Sequence, residues 1–133
     1  MMGGHDEDGG AGAADAEFFA RLAQLNDRFA SALPQTLERL LAAHNAFDAT
    51  HPQQALIDTL HATLHTLAGS SATFGFDRLG RQARALEERL LALAASGAAA
   101  ADDWAGWLAG LRVFVDWAKQ DPKGAYPNDE SGV

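Results

Sequence analysis
The stretch His61–Leu79, HATLHTLAGSSATFGFDRL, holds the residues whose types and spacing suit chemistry. Its apolar positions recur at helical intervals. With Leu60 set at zero and about 100° per residue, Leu56, Leu64, Leu67, Ser71 and Phe74 fall within roughly 40° of it, and Ile57 about 60° away. That side is the expected core. His65 falls near 140°, toward solvent, and its neighbours there are Ala68, His61, Ala72 and Gly69. An imidazole therefore stands above residues with almost no side chain. Gly69 costs a helix roughly 1 kcal/mol against Ala, and a glycine beside an exposed histidine suits close approach of another molecule to the backbone. One exposed helix face forms no pocket, so the partner this patch fits is a macromolecule. Neutral imidazole is a nucleophile near neutral pH. Phosphoryl transfer asks mainly for positioning and charge neutralisation, so a carrier need only present the outer ring nitrogen.

A second residue follows from hairpin geometry. If two helices run antiparallel about a turn near Gly75 and Phe76, His65 lies eleven residues before Phe76 and Glu87 eleven after. To within one turn, Glu87 is level with His65. A carboxylate there can accept a hydrogen bond from the inner ring nitrogen and leave the outer one free to attack; otherwise Glu87 is a solvated helix residue. His61 and His65 have the i, i+4 spacing that can hold zinc, but only Asp58 offers itself nearby as a third ligand, so no metal is expected. His61 is expected to rim the docking surface or stand idle. His44, on an apolar stripe, is expected to be partly buried, and Ser71 to bond back to a carbonyl.

The elements that must position these residues are all helical. Phe18, Leu22, Leu25 and Phe29 mark one helix face, and Pro34 predicts a break or kink near Ala32 and Leu33. Leu33, Leu37, Leu40, Leu41, His44 and Phe47 continue on a second helix. Thr50 or His51, with Pro52, predicts the start of a third, running from about Gln53 to Thr73. Gly75 ends it, and Asp77 is placed to cap a fourth that reaches about Ala95. Asp102 and Asp103 open the last, whose Trp104, Trp107 and Trp117 are expected in the core. Short loops favour an all-α, antiparallel up-down four-helix bundle with an additional N-terminal helix segment. The bundle should span residues 15–120. Residues 1–14 read as a flexible tail and 121–133 as a second tail or the start of a linker.

Composition narrows the partners. An apolar fraction of 47% argues against wholesale disorder, and the absence of cysteine excludes disulfides and thiolate metal sites. A net charge of −8 disfavours nucleic acid and anionic membranes. No membrane span or signal peptide is evident, the lack of cysteine suits the cytoplasm, and a monomer is expected. Nothing resembles a P-loop, a nucleophile elbow or a kinase catalytic loop.

The run His65-Thr-Leu-Ala-Gly69-Ser-Ser-Ala-Thr-Phe-Gly75, continuing into Leu79, Ala83, Leu86 and Glu87, resembles the histidine-containing phosphotransfer (HPt) domains of two-component phosphorelays. The pattern in that family is His, any residue, Leu, often Lys, Gly, Ser or Ala, then a second Gly six positions after the first. The resemblance covers residues 17 to 119 and is specific only between 61 and 90. It implies a four-helix bundle, His65 as the phosphorylated residue and Glu87 beside its ring. It also implies response-regulator receiver domains as partners, one of them carried by a hybrid histidine kinase in some systems. The chain would be a phosphocarrier and no enzyme of its own, without cofactor, the Mg²⁺ belonging to the receiver. Ala68 departs from the pattern where many members have Lys; Arg78, Arg81 and Arg84 on the next helix are candidates to supply the missing cation. The alternative is a helical adaptor that binds a receiver or kinase without accepting phosphate, and Ala68 is the feature favouring it.

Overall fold
The computed structural model describes residues 2–127, and their side chains from residue 12 onward. Four helices follow one another: α1 (Met2–Ala46), α2 (Gln54–Thr73), α3 (Asp77–Ser96) and α4 (Ala101–Gln120). No strand occurs among the described residues. The core is a set of helical stripes meeting on one axis: Leu37 and Leu40 from α1, Leu60 and Leu64 from α2, Leu79 and Leu90 from α3, and Leu111, Phe114 and Val115 from α4, all essentially inaccessible. Trp104, Trp107 and Trp117 join them, Trp104 packing on Phe47 with ring centroids 5.1 Å apart.

The first helix removes the break, though not the kink, expected at Pro34, and one of the expected tails. Pro34 lies inside α1 and does not split it. A mid-helix proline removes one hydrogen bond and costs about 3 kcal/mol, but Leu33 before it and Leu37 and Leu40 after it are all buried on one stripe, and their burial holds the helix together across it. The helix also runs back over residues 2–14, read from composition as a tail, where Ala11, Ala13 and Ala14 are strong helix formers that extend an already nucleated helix. Phe18 and Phe19, just after that stretch, are exposed. The additional N-terminal segment is thus an extension of the first bundle helix.

Between α2 and α3 the turn is a Schellman-type stop. Gly75 adopts φ +83°, and the Phe76 N–H donates to the Ser71 carbonyl at 2.8 Å. Phe76, buried under Phe29 (centroids 5.0 Å apart), precedes the first residue of α3. Asp77 is inside that helix and makes no side-chain cap bond; its charge acts on the first turn instead. At the start of α2 the flanking residue is Gln53, not Thr50 or His51; both Thr50 donors are taken by Asp48 Oδ1.

The C-terminal segment departs from its tail reading as well. Tyr126 is buried edge-on against Trp117 (4.8 Å), Lys123 Nζ sits 4.5 Å from the centre of the Phe76 ring, and Arg78 Nη1 donates to the Gly124 carbonyl at 2.8 Å. An aromatic residue and a cation give this Pro- and Gly-containing stretch something to bury, which composition alone hides. Residues 128–133 and Met1 of the two expected tails lie outside the described residues.

The closest helix pair is α2 with α3, and Gly80 sets its spacing. A Cβ at Gly80 would meet the Ala68 carbonyl oxygen at 3.1 Å and Ser71 Cβ at 3.3 Å. The nearer of these is backbone and cannot swing aside. Gly80→Val should therefore push the pair apart and lower the stability measured by urea unfolding by about 1–3 kcal/mol; an unchanged midpoint would mean the pair has slack.

Candidate functional site
The close approach at Gly80 determines what the facing sides of α2 and α3 can do. Leu60, Leu64, Leu67 and Ser71 turn inward from α2, and Leu79, Ala83, Leu86 and Leu90 from α3. One turn round from the α2 stripe stands His65, its side chain 66% exposed. Opposite it, at the lip of the seam, Glu87 is buried to 5% exposure, a rare state for a carboxylate without partners.

Both partners come from α2. Glu87 Oε2 accepts from His65 Nδ1 at 2.7 Å and from His61 Nε2 at 3.1 Å. The two imidazoles, one turn apart, hold their ring centroids 6.0 Å from each other. A carboxylate oxygen accepting at His65 Nδ1 keeps the ring hydrogen on that nitrogen, so Nε2 carries the lone pair, and Nε2 is the atom farther from the backbone. An oriented, nucleophilic ring nitrogen therefore faces outward over an open helix surface. Gly69, one turn on, has nothing within 4 Å of the place its Cβ would occupy, and Ala72 is exposed beyond it.

The structure brings together most of the residues singled out in the sequence, but not all. Glu87 lies level with His65, as the hairpin register has it, and the solvated-residue reading does not hold. His61 is half-buried and bonded to Glu87, a contact beyond the sequence expectations although Glu87 is within one turn of the level of His61 in that same register. Ala68 leaves the docking surface: it is 2% exposed, covered in the seam that Gly80 closes. Its angle of about 80° put it at the edge of the core stripe, and a helix packed this close covers such an edge. Arg78 faces the C-terminal segment through Gly124. Arg81 and Arg84 are exposed and line a shallow groove with Ala68, Ala72, Asp77 and Gly80. Arg84 is level with Ala68 in the hairpin, one turn from His65. His44 is half-buried and bonded to Asn45 Oδ1 at 3.0 Å. Ser71 Oγ is buried without a hydrogen-bond partner among the described residues, so the expected bond to a carbonyl is not made.

The sequence model of one family, described as the Hpt domain, matches residues 17–117. Neither a curated protein nor a solved structure matches the chain significantly. Among the described residues, no helix is long and apolar enough to cross a membrane. The matched span takes in the bundle from the middle of α1 to near the end of α4, together with His65, Glu87 and the glycines between them, and the chain belongs to the Hpt domain family.

Proposed function
We propose that this chain is a cytoplasmic phosphocarrier that accepts a phosphoryl group on His65 Nε2 from the aspartyl phosphate of a receiver domain and passes it to the aspartate of another. The observation that carries this reading is the pairing of an exposed His65 ring with a buried Glu87 carboxylate 2.7 Å from its inner nitrogen. In the forward step the Nε2 lone pair attacks phosphorus, the N–P bond forms as the P–O bond to the receiver aspartate breaks, and that carboxylate leaves. The ring gains positive charge, which Glu87 balances through the Nδ1 hydrogen. Return transfer runs the same step backward onto a second receiver. The partner's Mg²⁺ neutralises the moving phosphoryl group.

Gly69, Ala72 and His61 form the surface on which a receiver docks, and Arg81 and Arg84 are exposed cations of α3 that share a groove with Ala72. A receiver of a hybrid histidine kinase fits it as well as a free-standing response regulator. The adaptor alternative drew its support from Ala68. Because Ala68 is covered in the α2–α3 seam, its lack of charge says little about the exposed face, and the carrier reading is preferred.

Incubation with a phosphorylated receiver should add one acid-labile phosphoryl group to the wild-type chain and none to His65→Gln; absence of the gain with several receivers would replace the carrier by the adaptor. Gly69→Leu tests the cleared patch. It should raise helix stability by roughly 0.5–1 kcal/mol yet slow transfer from a receiver about ten- to a hundredfold by displacing the partner, and a faster or equal rate would show the patch is not used. For the positioning role of Glu87, nitrogen-15 spectra should show His65 protonated on Nδ1 in the wild type. Glu87→Ala should move that hydrogen toward Nε2, while Glu87→Gln, whose amide oxygen still accepts, should retain it; identical tautomer ratios in all three would end that role.

A further inference from the structure
We infer that His61, His65 and Glu87 form a binding site for a divalent transition-metal ion of the zinc type, and that an ion bound there silences His65 as a phosphoryl acceptor. The site itself stands on geometry alone; the silencing rests on the phosphocarrier reading above.

One ligand atom from each of the three residues lies within 4.8 Å of the other two. The buried Glu87 oxygen is the shared vertex, 3.1 Å from His61 Nε2 and 2.7 Å from His65 Nδ1. Metal–ligand bonds of about 2.0–2.2 Å at tetrahedral angles place ligand atoms roughly 3.3–3.5 Å apart. The hydrogen-bonded distances fall short of that by about 0.2–0.4 Å at His61 and about 0.6–0.8 Å at His65, so replacing the two shared hydrogens by one ion asks for an outward shift of the rings, the larger at His65. Both rings are partly exposed, His61 to 41% and His65 to 66%, and can make that shift while the carboxylate stays fixed in the seam.

Donor chemistry selects the ion. Two imidazoles and a carboxylate, with the remaining position open to water, are a set that zinc uses at open sites. Imidazole nitrogen favours zinc, copper and nickel over magnesium and calcium, which take oxygen. The Mg²⁺ of a receiver is therefore no competitor. The i, i+4 spacing places both imidazoles on one face of α2, and a net charge of −8 concentrates cations around the chain.

The consequence for His65 follows from the ring. A neutral imidazole has one lone pair in the ring plane and one N–H. When Nδ1 gives its lone pair to an ion, the hydrogen resides on Nε2, and Nε2 has nothing with which to attack phosphorus. The hydrogen bond to Glu87 sets the opposite tautomer. Metal and carboxylate thus hold the ring in its silent and its active form through the same nitrogen.

The test uses the purified full chain and zinc alone. Calorimetric titration should give one ion per chain with a dissociation constant in the micromolar range, and Co²⁺ as a stand-in should give visible absorption bands of a low-coordinate site. Glu87→Gln and His61→Gln should each weaken zinc by more than the roughly 10- to 100-fold that loss of a supporting outer-shell group costs. His61 is half-exposed, so its variant keeps the test valid if a change at buried Glu87 disturbs folding. Unchanged affinity in His61→Gln, or no binding to the wild type, overturns the site. Phosphoryl uptake is then measured from phosphoramidate, whose P–N bond breaks to release ammonia as the bond to His65 forms, so that no receiver or magnesium is present. Saturating zinc should cut wild-type uptake at least about tenfold relative to chelator, following the fraction of rings left free, and the ratio should approach one in His61→Gln whatever its own rate. Zinc bound at the three residues with uptake undiminished overturns the silencing and leaves the site. No uptake by the wild type either from phosphoramidate in chelator or from a phosphorylated receiver overturns the phosphocarrier reading, and the silencing with it, while the calorimetry still decides the metal site.

Discussion
A carboxylate on one helix reaches under an imidazole on another only when the two axes come close, and in this bundle that approach depends on the missing side chain at Gly80. With the Ala68 carbonyl 3.1 Å from the point where a Cβ would stand, α2 and α3 are in backbone contact there. Two turns further along α3, Glu87 occupies the lip of the same seam, and its carboxylate is desolvated by the packing that brings it to His65. Burial alone would disfavour such a charge. Two imidazole donors on one oxygen compensate it and fix the direction in which the carboxylate points. The site is therefore a product of helix spacing first and of residue identity second.

This explains which parts were legible beforehand. Periodicity gave α2, α3 and α4 to within a residue or two, because each carries an unbroken apolar stripe and is bounded by a glycine, a proline or a pair of acids. It also separated His65 from the core, since an angular difference of about 140° survives any reasonable error in helix geometry. Glu87 emerged from counting about the Gly75 turn, because a tight antiparallel hairpin makes sequence distance from the turn equal to height along it. Fold and site were both readable where one short-range rule sufficed.

What escaped was decided by contacts between distant segments. Pro34 reads locally as a break, yet the leucines on either side are buried on one stripe of a helix that packs against α2 and α4. Asp121 to Tyr126 reads as a linker, yet Tyr126 finds Trp117 and Arg78 finds the Gly124 carbonyl. Ala68 sits at an angle where exposure depends on how near the neighbouring helix lies, and nothing local to Ala68 reports Gly80. The convergence of His61 on Glu87 needed both the helical wheel and the hairpin register at once, each of which was in hand separately.

The indole of Trp107 adds a constraint from the far side of α3. Its Nε1 hydrogen is donated to the Leu86 carbonyl at 2.9 Å, fully buried, one residue before Glu87. Rolling α3 about its long axis would strand that donor in an apolar interior at a cost of about 1–3 kcal/mol. The azimuth of the carboxylate is thus latched by a helix that makes no hydrogen bond to the imidazoles among the described residues, and α4 works as a keel: the aim of the ring over the open face is inherited from an anchor on the opposite flank of the bundle.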